Sequence, residues 1–465
     1  MATFKYGTNS LLALTSRVTT PSLHIQKNGN HWYVPLFSGN KGAVVQSGDY
    51  AYTLGGLKVG SYRAVIGREV AKIHIFTTAQ TTWILTSKGE LYGCGHNGYG
   101  QLGSSSSPYT FTKCAENVKE FRCTYRTFWY IDINNDLYGC GDGYYGQQGS
   151  GNSDIVRTFT KRASNVKEVV CSEDTTWYVD NNNNLYGCGD NTSGPQGSGD
   201  TAKVYTFTKR ASNVKEVRCD LYGKVTWYID NNNNLYGCGN NYYGQQGSGS
   251  SGNSSANVLT FTKRASNVKE VVCSPETTWY IDNNNNLYGC GNNIHGQQGS
   301  GVYGPSTHVL TFTKRASNVK EVICTNRTTW YIDNNNNLYG CGWNDSGEQG
   351  SGDTVKVSTF TKRAENVKEV ICTDDDISWR IWYIDNNNNL YGCGNNSYGS
   401  LGSSSPTHVY TFTKCAENVK EFSFSYQTFW YIDNNNNLYG CGNNYYGQQG
   451  SGDTTDVTTY TKRDL

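Results

Sequence analysis

The chain has 465 residues, with 39 Lys and Arg against 38 Asp and Glu. This balance gives no net field to steer nucleic acid or an anionic membrane, so neither is expected as a partner. No apolar run reaches the roughly 18 residues that span a bilayer, and no membrane insertion is expected. The start, Met1-Ala2-Thr3-Phe4-Lys5-Tyr6-Gly7, lacks the apolar core of a secretion signal.

Residues 1–66 differ from the rest and read as a small β attachment domain. Segments 22–27 and 31–36 flank Asn28-Gly29-Asn30, a strong hairpin signal. Segments 57–59 and 62–66 read as further strands.

From residue 67 to 465 the chain is a repeat. Leu-Tyr-Gly-Cys-Gly begins at Leu91, Leu137, Leu185, Leu235, Leu287, Leu338, Leu390 and Leu438, with spacings of 46, 48, 50, 52, 51, 52 and 48 residues. Each period holds four short runs of β-branched and aromatic residues, bounded by Gly, Asn, Asp or Ser. In one unit they are 165–171, 176–179, 185–188 and 205–209. Four short strands in about 50 residues is the content of one propeller blade. Trp83, Trp129, Trp177, Trp227, Trp279, Trp330, Trp382 and Trp430 mark eight copies of the second strand. The first strand has seven clear copies and a degenerate eighth at 70–75. The fourth has seven and a variant at 460–463. The expected fold is therefore all-β: an eight-bladed β-propeller (seven blades being the alternative) behind the small amino-terminal domain. Because the chain starts and stops inside the repeat, the last strand is expected to complete a blade begun at the other end.

The 16 cysteines do not read as a disulfide framework. Eight sit in Leu-Tyr-Gly-Cys-Gly, six end the first strand from Cys123 to Cys372, and only Cys114 and Cys415 stand apart. One thiol per repeat fits a small buried hydrophobe. No Cys/His spacing suits zinc, and no metal or cofactor is expected.

The segment 235–249, Leu-Tyr-Gly-Cys-Gly-Asn-Asn-Tyr-Tyr-Gly-Gln-Gln-Gly-Ser-Gly, resembles the repeat of the regulator of chromosome condensation family, and Gly100-Gln101-Leu102-Gly103 matches the end of that signature. The resemblance covers about residues 68–465. It implies a β-propeller, usually of seven blades. Cys stands where the family has a signature Trp, and Thr176 and Thr278 stand where members often have His. That family also contains exchange factors for small GTPases, but no matching exchange loop is found. Residues 27–36 weakly resemble short β segments of bacteriophage tail and fibre proteins.

The copies differ from one another in two places: the first-to-second-strand loop and the segment after Gly-Cys-Gly. Strands alternate in direction, so both connections fall on one face, while the Asp-Asn-Asn-Asn-Asn and Ala-Ser-Asn turns fall on the other. Variation confined to one face of a repeat array marks a binding surface. The candidate ligand-binding residues are Tyr125, Arg126, Tyr144, Tyr222, Lys224, Tyr242, His295, Arg327, Trp343, Asp375, Trp379, Arg380, Tyr398, Tyr426 and Tyr445. Tyr with Asn, Ser and Gly is the chemistry of binding loops. The Asn-rich turns fit Asx turns better than calcium ligands, Asp374-Asp375-Asp376 fits a solvated loop, and no acid–base pair or nucleophile is identifiable, so no enzyme is expected.

The expected function is non-enzymatic recognition by a phage tail fibre or receptor-binding appendage of the virion. Its partners would be a bacterial surface protein or glycan on the variable face and virion tail proteins on the amino-terminal domain, with a homo-oligomer possible. The alternative is an intracellular protein-binding propeller acting as an inhibitor or signalling scaffold. The same strand parity places the propeller's attachment opposite its variable face.

Overall fold

A computed structural model of the chain describes residues 22–27, 30–35, 45–47, 50–52, 58–61, 64–66, 73–78, 80–104, 106–252, 254–372, 379–402, 408–425 and 427–463. Backbone contacts divide it into two units, 1–72 and 73–465. In the first, Ser22–Lys27 pairs antiparallel with Asn30–Pro35 and with Ala64–Ile66. Val45–Ser47, Tyr50–Tyr52 and Lys58–Ser61 make a second three-stranded sheet.

The second unit is an eight-bladed β-propeller. Its eight four-stranded antiparallel sheets cover residues 73–115, 118–163, 166–211, 214–265, 268–316, 319–364, 367–416 and 419–463, here blades 1 to 8. In each, four consecutive strands pair in chain order. The third blade shows the pattern: Val166–Cys171, Thr175–Asp180, Leu185–Gly189 and Val204–Ala211. First strands of neighbouring blades lie against one another, which puts them innermost. The fourth strands, with every second or third residue exposed, form the outer wall.

The ring does not close by completing a split blade. Val457–Arg463 pairs with Leu438–Gly442 of its own blade, and Ile73–Thr77 pairs with Thr81–Thr86. The propeller begins on a first-type strand and ends on a fourth-type strand, so chain phase and blade phase coincide. Closure is made by packing instead. Ile75 and Ile84 of blade 1 meet Trp430, Ile432 and Leu438 of blade 8, with Tyr92 and Phe111 alongside. The Thr77 amide donates to Ser423 Oγ at 3.2 Å, and the Gly452 amide to the Tyr109 carbonyl at 3.0 Å.

The core lies between blades rather than within them. Trp129, Ile131 and Leu137 of blade 2 bury against Val166, Val169 and Tyr178 of blade 3, and Phe207 covers them. The same cluster recurs at the next junction, with Trp177, Val179 and Leu185 against Val214, Val217 and Tyr228. All eight second-strand tryptophans are fully buried or within 1 % of it. Trp129 meets Phe207 edge to face at 5.7 Å, and Trp177 meets Phe261 at 6.0 Å, so each indole rests on a fourth-strand ring of the following blade. Such ring pairs add about 0.5–1.5 kcal/mol beyond the area they bury.

This packing explains the Gly of Leu-Tyr-Gly-Cys-Gly. A Cβ on Gly237 would stand 2.3 Å from the Trp227 ring. The cysteine that follows points into the junction. Cys188 Sγ donates to the Gln147 carbonyl of the preceding blade at 3.4 Å, and Cys290 Sγ to Gln245 at 3.3 Å. The sixteen thiols are free, as expected for packed cysteines.

The Asn-rich turns are Asx turns. Asp180 Oδ1 accepts the Asn182 and Asn184 amides at 2.9 and 2.7 Å, and Asp180 Oδ2 accepts Asn184 Nδ2 at 2.9 Å. Asn183 takes the left-handed conformation at φ 59°, which Asn tolerates. The Asn183 carbonyl then accepts the Val214 amide of the next blade at 2.9 Å, so the turn also ties neighbours together. Both carboxylate oxygens are occupied by turn N–H groups.

Gly237→Ala, which drives a methyl into the Trp227 ring, is expected to lower unfolding free energy by about 1–3 kcal/mol in denaturant melts. Asp230→Ala, which frees the Asn232 and Asn234 amides, is expected to cost about 1 kcal/mol in the same assay.

Candidate recognition face

Strand direction puts the first-to-second loops and the third-to-fourth connections on one face of the ring, and their hydrogen bonds confirm that they meet. The Asp190 amide donates to the Asp174 carbonyl at 2.8 Å, and Gln147 Nε2 donates to the Glu173 carbonyl of the next blade at 3.2 Å. The opposite face carries the Asp-Asn-Asn-Asn-Asn and Ala-Ser-Asn turns. Both ends of the ring, Ile73 and Arg463, lie at that second face by the same parity.

Most third-to-fourth connections rest on a shared frame. In blade 4, Asn241 Oδ1 accepts the Gln246 amide at 2.9 Å while its Nδ2 donates to Ser248 Oγ at 2.8 Å. Gln246 Nε2 donates to the Cys238 carbonyl at 2.8 Å. Gly247 is left-handed at φ 60°, and an added Cβ would sit 2.7 Å from Phe312 of the next blade. The Gly-Gln-Gln-Gly signature is thus a scaffold, and the residues just before it are free to vary.

The paired tyrosines separate into two roles. Tyr144, Tyr242 and Tyr445 are 60 %, 54 % and 70 % exposed. Their successors Tyr145, Tyr243 and Tyr446 are half-buried, each amide held by a Gln Oε1 at 2.8–2.9 Å, and support the outer rings edge-on at 4.9 Å. Tyr222 and Tyr398 are each 36 % exposed on the same face.

The basic residues lie on aromatic rings. Arg126 covers Tyr99 at 5.1 Å and Tyr125 at 5.8 Å, and its Nη1 is 3.6 Å from Asp142. Lys203 stands over Tyr144 and Tyr145 at 4.7 and 4.6 Å. Lys224 binds Asp174 and Asp190 at 3.1 and 2.8 Å. Arg327 reaches Trp343 at 5.2 Å and Trp379 at 5.0 Å, with Lys356 over Trp343 at 4.1 Å and His295 against the same ring at 4.5 Å. Burial first, then the Arg327 and Lys356 charges, push the His295 imidazole down to about 4, so it is neutral at pH 7. Sequence reasoning missed Tyr99, which recurs as Tyr145, Tyr243, Tyr398 and Tyr446, and Lys203 and Lys356, which share one position just before the fourth strand in two copies.

Of the remaining candidates, Asp375 and Tyr426 lie outside the described residues, as does the rest of the Asp374-Asp375-Asp376 run. Arg380 is corrected. It is 3 % exposed, with Nε donating to the Asn395 carbonyl, because it starts the second strand, where six other copies have Thr and one has Val225. Among the described residues no group of three or more His, Cys, Asp or Glu could hold a metal, and no helix is long and apolar enough to cross a membrane.

The near-zero net charge conceals two unlike faces. On the variable face the cations lie flat on rings while Asp154, Asp200, Asp345, Asp353, Asp453 and Asp456 stay exposed. Serine hydroxyls and backbone amides hold Asp200, Asp353 and Asp453 below the usual carboxylate range. On the constant face the turn aspartates are buried. There Lys167, Lys215, Lys269 and Lys320 are exposed, each Nζ 3.0–3.2 Å from a turn Asn Oδ1.

No protein-family model and no curated sequence matches the chain. Among solved structures, human WBSCR16 is similar with a TM-score of 0.54 at 15 % identity, over 69 % of this chain and 90 % of that one. Yeast RCC1 (Prp20), solved with Kap60 bound, gives 0.54 at 16 %, over 71 % and 84 %. Prp20p from Saccharomyces cerevisiae, studied with its binding to Gsp1p and histones, gives 0.52 at 16 %, over 66 % and 82 %. The fold is that of the regulator of chromosome condensation type β-propeller, here with eight blades. The phage tail resemblance of residues 27–36 gains no support from these likenesses.

Glu173 gives a pH test of the face. Its Oε1 accepts the Tyr125 amide at 3.0 Å, but its buried Oε2 has no hydrogen-bond partner, and burial raises the carboxyl to about 7. The folded state therefore holds the proton more tightly than the unfolded chain. That stabilisation is complete below the ordinary Glu range and is lost as pH rises from about 4.5 through 7. Glu173→Gln is expected to flatten the fall of Tm between pH 4.5 and 7.5 in calorimetry.

Proposed function

We propose that the protein is a non-enzymatic, protein-binding propeller whose variable face docks a partner with a basic contact surface. One observation carries this reading. Exposed Tyr144, Tyr242 and Tyr445, the Trp343–Trp379 pair and the exposed carboxylates all gather on a face whose opposite side repeats almost unchanged. Rings pre-set by stacked cations lose little entropy on binding. Ringed by carboxylates, they favour a cationic partner and a salt-dependent association rate. The likeness to Prp20, solved bound to Kap60 and studied with Gsp1p and histones, is consistent with protein recognition but shares only the fold.

The virion-appendage reading would use the same face toward a bacterial surface ligand, and rests only on the resemblance of residues 27–36. Both readings attach the ring through its constant face, where its two ends lie.

The test is affinity capture with the full chain from cell lysates and, separately, on intact bacterial cells. Candidate partners are then titrated against a Tyr144→Ser, Tyr242→Ser, Tyr445→Ser variant. Affinity is expected to fall at least about tenfold in the variant, and the association rate to fall with added salt. A partner whose binding is unchanged by these substitutions but weakened by Lys215→Ala and Lys269→Ala would move the interface to the other face. Retention on cells alone would favour the appendage.

A further inference from the structure

Every blade junction holds a buried third-strand cysteine, and the residue facing it follows a rule with two exceptions. In six blades the fourth strand supplies an arginine. Arg162, Arg210, Arg264 and Arg315 lie beside Cys188, Cys238, Cys290 and Cys341 of the following blade. Arg363 lies beside Cys393, and Arg463 closes the series beside Cys94. In blades 1 and 7 the arginine is replaced by Cys114 and Cys415.

Each replacement packs in a cluster with a thiol of the next blade, while its own Sγ donates to a carbonyl of its own strand, Thr112 or Thr413, at 3.2 Å. Cys114 packs in the cluster that contains Cys140 of blade 2, and Cys415 in the cluster that contains Cys441 of blade 8. Direction selects these partners. Cys140 Sγ donates to the Gln101 carbonyl at 3.2 Å, which points it into the junction between blades 1 and 2. Cys94, on the strand next to Cys114, instead donates to the Gln448 carbonyl at 3.6 Å and points toward blade 8. At the other junction Cys441 donates to the Ser400 carbonyl of blade 7 at 3.5 Å, while Cys393 points toward Glu348 of blade 6.

Neighbouring positions change together with the cysteines. Leu102 and Leu401 replace the Gln that bonds the third-strand Cys carbonyl in five of the other six blades, and Phe128 and Phe429 replace Thr. All four are buried. Trp83 meets Phe128 at 3.9 Å and Trp382 meets Phe429 at 4.9 Å. The arginine junctions carry an ionised group. These two lack that arginine, although the second-strand Arg380 lies near Cys441, and they flank the seam where blade 8 meets blade 1.

We propose that Cys114–Cys140 and Cys415–Cys441 are disulfide-forming pairs that staple blade 1 to blade 2 and blade 7 to blade 8 when the protein meets a small-molecule disulfide. The half-buried Cys114, once deprotonated, attacks the oxidant. Their new S–S bond forms as the oxidant's own breaks, and one small thiol leaves. The Cys140 thiolate then attacks the Cys114 sulfur and expels the second small thiol. Two protein thiols are oxidised, the small disulfide is reduced to two thiols, and the two protons leave on those thiols. Cys415 and Cys441 react in the same way. Each bond closes a loop of 26 residues.

Burial sets the rate, since it pushes Cys114 up to about 12 and Cys140 well above the ordinary thiol value. Few thiolates exist at neutral pH, so the reaction is slow and speeds up with pH. The pairs also differ from each other. The Tyr460 hydroxyl lies beside both Cys415 and Cys441, whereas Phe159, with no hydroxyl, occupies that place near Cys114 and Cys140. That hydroxyl favours the Cys415 and Cys441 thiolates, an aid the first pair lacks.

The test incubates the folded full chain with oxidised glutathione, blocks free thiols, and maps non-reduced peptides by mass spectrometry. Cys114–Cys140 and Cys415–Cys441 are both expected, with four of the sixteen thiols lost and a rate rising about tenfold per pH unit below the thiol pKa. Cys140→Ala is expected to trap Cys114 as a mixed disulfide with glutathione. The proposal is overturned if the wild-type protein keeps these four thiols free, stops at mixed disulfides, or links Cys114 to Cys94.

Discussion

The molecule depends on the contact between a second-strand tryptophan and the following blade. No sheet has a core of its own, because the apolar side of each blade is covered only by its neighbour. Trp129, Trp177 and their equivalents supply the buried area, and Phe207 and Phe261 meet them edge-on. A four-stranded blade alone would leave those rings in water, so stability belongs to the junction and needs the ring to close. The third-strand glycine is required because the indole occupies the space of its side chain.

Much of this was legible in the sequence because the period is long and strictly kept. Eight tryptophans and eight Leu-Tyr-Gly-Cys-Gly copies gave the blade number, and strand parity gave the two faces. The closure was misread because Val70–Ile75 matches the first strand poorly. The observed strand is Ile73–Thr77, with Ile75 opposite Ile84 where other copies set Val opposite Tyr. The site was legible as a region but not as contacts. Tyr144 and Tyr145 are identical letters, yet one is exposed and the other supports it. Arg380 reads as a loop cation and is a buried strand residue. Lys203 and Lys356 share one position before the fourth strand, but a cation stacked across a loop on a ring has no spacing rule that marks it.

Charge is organised by the same division of labour. On the varied side, arginines and lysines are drawn down onto tyrosine and tryptophan, and the aspartates are left outward. On the repeated side each turn aspartate is taken up by its own backbone amides, and lysines are exposed, in three blades paired with the exposed Glu116, Glu365 and Glu417.

The sameness of the frame has a corollary. A connection running from one Gly-Cys-Gly to the next fourth strand meets the same asparagine clamp, the same glutamine tether and the same aromatic floor in most blades. Such a segment, moved from one position of the wheel to another, would meet the same anchors and keep its geometry, so the outward chemistry is interchangeable between blades without rebuilding the ring.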